Sequence, residues 1–120
     1  MSACKVSLAF LDGSITEVIT KSTAIAKSMT NNTNFPVPPV SPAGLQNAVN
    51  HLKEMQKKVK GGNGKAAANL NEALADVDDF IRQEAEYVNH ASYYDLEKLR
   101  SSGFDEELVA NGKQSLELGI

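Results

Sequence analysis

The sequence predicts an all-α protein: an antiparallel helical bundle of three long helices plus one short helix, with a Pro-rich strap between the first two and an extended or hairpin-like C-terminal tail. Three observations carry this expectation. Apolar residues recur at three- and four-residue spacing in three separate stretches, all four prolines fall within residues 36–42, and a GGNG loop at 61–64 separates the two longest periodic stretches. With 120 residues and 42% hydrophobic content, one domain of this size buries roughly 65% of its unfolded surface without staples.

The first helix is expected over about 14–31. Ile15, Val18, Ile19, Ser22, Ile25, Ala26 and Met29 share one stripe, and Ser14 with Glu17 fits a capping box. Asn31 and Asn32 suit its end. NNTNFPVPPVSP follows, and its prolines at 36, 38, 39 and 42 fix φ and keep their predecessors out of the helical region. This segment reads as a structural strap, with Phe35 and Val37 as packing groups. A proline-rich ligand for a recognition domain is the competing reading, and no flanking basic residue supports it.

Ser41 and Pro42 supply an N-cap and a first-turn proline for the second helix, 42–60, in which Leu45, Ala48, Val49, Leu52, Met55 and Val59 form the apolar stripe. Lys53, Lys57, Lys58 and Lys60 gather toward its C-terminal end, where they complement the helix dipole. The third helix, 65–91, places Leu70, Ala73, Leu74, Val77, Phe80, Ile81, Glu84, Tyr87, Val88 and Ala91 on its stripe. A fourth, short helix is expected at 93–101. Residues 1–104 thus form the bundle domain. In the tail, 105–120, Asn111-Gly112 resembles a two-residue hairpin turn, the alternative being that Asp105-Glu106-Glu107 begins one more helical turn; extended or partly helical structure that orders only against a partner is expected.

The ordered motifs NNTNFPVPPV, LQNAVNHLKEMQ, KAAANLNEALADVDDFI and EAEYVNHAS…LRSSGF together resemble a family of largely uncharacterised bacterial helical-bundle proteins. In that family a helix ends in an Asn-Phe-Pro-x-Pro strap, a helical hairpin follows, and a Tyr-Val motif precedes a short helix and Ser-x-Gly-Phe. The matching positions are Asn34, Phe35, Pro36, Tyr87, Val88, Ser102, Gly103 and Phe104, all of them packing or turn residues. Some relatives continue into a fibronectin type III-like domain, which implies modular, binding or surface use. The resemblance spans about 14–104, and residues 105–120 are not expected to form such a domain.

Charge carries the remaining functional signal. The net −3 divides into 8 Lys against 3 acids in residues 1–65, or +5, and 4 Lys/Arg against 12 acids in residues 66–120, or −8. A chain so polarised can neutralise itself internally or present a dipolar surface to copies of itself. Lys53, Lys57, Lys58, Lys60, Asp76, Asp78, Asp79 and Phe104 form the candidate interaction surface. No catalytic, cofactor-binding or metal-ligating residues are expected. His51 and His90 lack partner ligands, the three aspartates lack the Gly and terminal Glu of a calcium loop, and GGNG-Lys lacks the preceding strand of a phosphate cradle.

One Cys excludes an internal disulfide framework, and no run of 18 apolar residues is present to span a membrane. The apolar stretch after Lys5 is cut short by Asp12, too short for a secretory signal. The expected location is cytoplasmic or within an assembled particle. The expected function is a non-enzymatic structural or protein-interaction module of a larger assembly, such as a phage or phage-like bacterial particle or a surface structure. The alternative is a small regulatory or ligand-binding helical protein. Nucleic-acid binding through the Lys53–Lys65 cluster is less favoured, because arginine is scarce and aromatics are not interleaved.

Overall fold

The computed structural model describes residues 3–62, 64–92 and 95–109. They are mostly helical, in the order β1 (Ala3–Ser7), a 3-10 turn (Ala9–Asp12), α1 (Ile15–Met29), α2 (Pro42–Lys60), α3 (Ala66–Ser92), α4 (Leu96–Ser101) and β2 (Asp105–Val109). Three long helices and one short one are present, each within a few residues of the bounds expected from the sequence.

Local chemistry sets the ends. Ser14 accepts from the Glu17 N–H at 3.1 Å while Glu17 Oε1 accepts from the Ser14 N–H at 3.0 Å, so both halves of the capping box form. Those hydrogen bonds hold the Glu17 carboxyl below its ordinary range. Helix α1 ends at Met29 with Thr30 as its C-cap, and the chain turns away at Asn31, whose φ of 55° is the left-handed conformation that asparagine tolerates. Ser41 caps α2 by accepting from the Gly44 N–H at 3.0 Å, with Pro42 in the first turn. Asp95 caps α4 through the Lys98 N–H.

Helix α2 packs against both α1 and α3, which touch each other far less. The apolar stripes of the three meet in one core that includes Val18, Ile25, Leu45, Val49, Leu52, Val77, Ile81 and Val88, each 1% exposed or less. The strap contributes Phe35 and Val40 to the same core, and the short α4 contributes Leu99.

The all-α expectation requires one correction: the ends of the described chain form a two-stranded antiparallel sheet. Ala3–Ser7 pairs with Asp105–Val109 in the register Lys5↔Glu107 and Val6↔Glu106. Lys5 and Glu107 lie directly opposite and form an ion pair at 3.2 Å, a favourable cross-strand arrangement. The first part of the predicted tail is thus extended, with the N-terminal strand as its partner. Asn111-Gly112 lies outside the described residues. The sheet is tied to the helices at three points. The Val6 N–H donates to Asn89 Oδ1 on α3 at 2.7 Å, Lys21 on α1 bonds Asp105 at 2.8 Å, and Arg100 on α4 pairs with Glu106.

Candidate functional site

Two regions of the surface are built from residues the helices bring together. The first is a clasp between the strap and α3. In the run Pro36-Val37-Pro38-Pro39-Val40 only the two valines have a backbone N–H. Each finds an acceptor on α3. The Val37 N–H donates to Tyr87 Oη at 3.2 Å and the Val40 N–H to Glu84 Oε1 at 3.0 Å. Glu84 and Tyr87 are themselves three residues apart and so share a helix face. Phe35 packs edge-on against the Tyr87 ring, with centroids 6.0 Å apart and planes at 63°.

Glu84 sits on the apolar stripe of α3 and is fully buried. Its second oxygen, Oε2, has no hydrogen-bond partner among the described residues, and Ser22 Oγ on α1 is likewise buried and unpartnered there. Burial pushes the Glu84 carboxyl up to about 7, and the Val40 N–H opposes this by favouring the charged form. Outside the clasp an open cleft of about 580 Å³ is lined by Val37, Pro39, Gln83, Glu86, Tyr87 and His90, among others. Val37, 76% exposed, stands at its edge.

At the far side of the strap, Asn32 Nδ2 donates to the Ser101 carbonyl at 2.9 Å and Asn34 Nδ2 to Ser101 Oγ at 3.1 Å. Gly103 follows, with φ of 89° and α1 so close that a Cβ would come within 3.0 Å of Ile25 Cα. Asn34 thus bonds Ser101, Phe35 packs on Tyr87, Val88 and Ser102 are buried, and Gly103 makes the turn. Phe104 is 3% exposed and belongs to the core, which corrects its assignment to the interaction surface.

The second region is charged. Lys53, Lys57 and Lys60 follow i, i+4, i+7 spacing and form one exposed stripe of α2, whereas Lys58 is exposed on a different flank. None of the four lysines forms an ion pair among the described residues, where the pairs are Lys5–Glu107, Lys21–Asp105, Arg82–Asp78 and Arg100–Glu106. A groove of about 460 Å³ runs between α1 and α2, with Ile19 at its floor and Lys53, Lys57 and Glu54 among its walls.

The three aspartates of α3 separate. Asp78 is half-buried and bonds Arg82 one turn on at 2.6 Å. Asp76 and Asp79 lie on another face together with Glu72 and Glu86, all four exposed, and Asp79 accepts from Gln83 at 2.9 Å. Glu72 and Glu86 are absent from the surface expected from the sequence, although helical spacing from Asp76 and Asp79 identifies them.

Among the described residues no helix is long and apolar enough to cross a membrane, and no three His, Cys, Asp or Glu side chains converge as a metal site. His51 and His90 are both exposed, and Cys4 is a half-buried free thiol. No family model, curated protein or solved structure matches the chain.

Proposed function

We propose that this chain is a non-enzymatic structural or protein-interaction module, an antiparallel helical bundle that works as one component of a larger assembly. The observation that carries this reading is the charge left over after folding. Among the described residues the α2 lysines form no ion pair with the acids of α3, so two charged faces of opposite sign stay exposed on one small molecule. Surfaces of this kind steer and register protein partners. The resemblance to a family of bacterial bundle proteins, some of which continue into a fibronectin type III-like domain, supports a phage-like particle or a surface structure by analogy.

Size-exclusion chromatography with light scattering, at high protein concentration and low salt, tests this proposal together with mass spectrometry of co-purifying proteins. The expected result is an assembly larger than one chain, or a stoichiometric protein partner. A strictly monomeric species that brings nothing with it overturns the proposal.

A further inference from the structure

The two charged stripes match in spacing as well as in sign. Lys53, Lys57 and Lys60 on α2 and Glu72, Asp76 and Asp79 on α3 both follow i, i+4, i+7, and each set extends about 10 Å along its helix at 1.5 Å per residue. All six side chains are exposed, and no ion pair among the described residues joins one set to the other. We propose that the lysine stripe of α2 docks on the acidic stripe of α3 of a second copy of this chain, an inference that rests on the interaction-module reading above.

Charge complementarity selects that occupant. A helix laid along α2 with carboxylates at the same intervals meets three ammonium groups in register, and α3 of another copy supplies that pattern. A nucleic acid fits less well. Glu54 shares the groove walls with Lys53 and Lys57, and the chain as a whole carries −3. The groove beside the lysines, with Ile19 at its floor, adds an apolar strip against which the docked helix excludes water. Because the donor and acceptor stripes are different surfaces of one molecule, every copy offers both. Association therefore either closes reciprocally about a two-fold axis or continues head to tail.

The test uses two charge-reversed full-length chains, K53E/K57E/K60E and E72K/D76K/D79K, with circular dichroism to confirm helix content. Light scattering of the unaltered chain should show an assembly that weakens at least about tenfold between about 0.05 and about 0.5 M salt. Each reversed chain alone should be monomeric, since like charges then face each other. Mixed in equal amounts they should associate, because a reversed α2 stripe on one chain meets a reversed α3 stripe on the other.

Where a reversed chain does not fold, the neutral set K53Q/K57Q/K60Q replaces it and should lose the salt-sensitive assembly. An assembly that persists unchanged in both reversed chains overturns this docking geometry and leaves the interaction-module reading standing. An unaltered chain that is monomeric but carries a stoichiometric foreign protein has the same consequence. A monomer with no partner overturns both.

Discussion

The strap clasp and the lysine stripe put polar groups to opposite uses. At the clasp the N–H groups of Val37 and Val40 both have protein acceptors and an aromatic pair closes the contact, while the second oxygen of the buried Glu84 carboxyl has no partner among the described residues. At the stripe three lysines stand in solvent with no ion-pair partner among the described residues. Buried polar groups cost free energy unless satisfied, whereas exposed charges cost almost nothing to leave alone. The clasp therefore belongs to the stability of the fold, whereas the stripe makes no ion pair within it among the described residues and is, on the reading proposed above, the part offered to a partner. Substitutions on either side can break that division.

The largest effect is expected at Phe35, which is 1% exposed and packed edge-on against Tyr87. Phe35→Ala should cost about 3–5 kcal/mol of unfolding free energy, read from urea denaturation. A loss below about 1 kcal/mol would show that the strap lies on the core without supporting it.

Glu84 comes next, and its effect depends on pH. A carboxyl whose value rises from 4.5 to about 7 on folding binds more protons in the folded chain than in the unfolded chain between those pH values. Stability is then greatest below about pH 4.5 with respect to this group, falls as pH rises through that window, and is fully reduced above about 7. Glu84→Gln keeps an acceptor for the Val40 N–H and removes the charge. It should flatten this part of the stability profile and stabilise the protein at pH 8 by on the order of 3 kcal/mol or less. A variant whose profile parallels that of the unaltered chain would refute the assignment of the slope to Glu84.

Gly103 tests the other end of the strap. A side chain there meets both a φ of 89° and the α1 backbone at 3.0 Å. Gly103→Ala should therefore cost more than the roughly 1 kcal/mol of a left-handed residue alone, measurable as a lower thermal midpoint. A neutral result would mean that α1 and the turn separate freely.

These effects also show what a sequence can disclose. The helices were legible because periodicity, caps and prolines act over a few residues: Ser14 with Glu17, Ser41 with Pro42 and Asn31 each mark an end by local hydrogen bonding or backbone preference. The sheet was not. ACKVS and DEELV are five residues each, and their pairing joins positions about a hundred residues apart, so neither carries a local signal for the other. Glu84 was visible as an acid on an apolar stripe, but its partner is a backbone N–H 44 residues away. Phe104 is placed on the interaction surface by the sequence, and the tertiary packing around it shows that it is interior. The charge asymmetry was legible as a total, whereas its division into a paired Asp78 and an unpaired stripe needed the helix faces.

The smallest effect on folding is also the most informative for the comparison. Lys53, Lys57 and Lys60 are exposed and without ion pairs among the described residues, so K53Q/K57Q/K60Q should change the stability of the isolated monomer by no more than about 0.5 kcal/mol per position. Removing positive charge near the end of α2 weakens its interaction with the helix dipole, which gives the small cost a destabilising sign. Denaturation at low salt and high dilution isolates that contribution, because dilution disfavours association while the dipole interaction stays unscreened. At low salt the same variant should lose assembly. A large loss of monomer stability would instead place the lysines among the supports of the fold, and the contrast with the clasp would collapse. Near-constant stability with lost assembly would mean that α2 uses its buried stripe to hold the bundle and its lysine stripe to meet another copy.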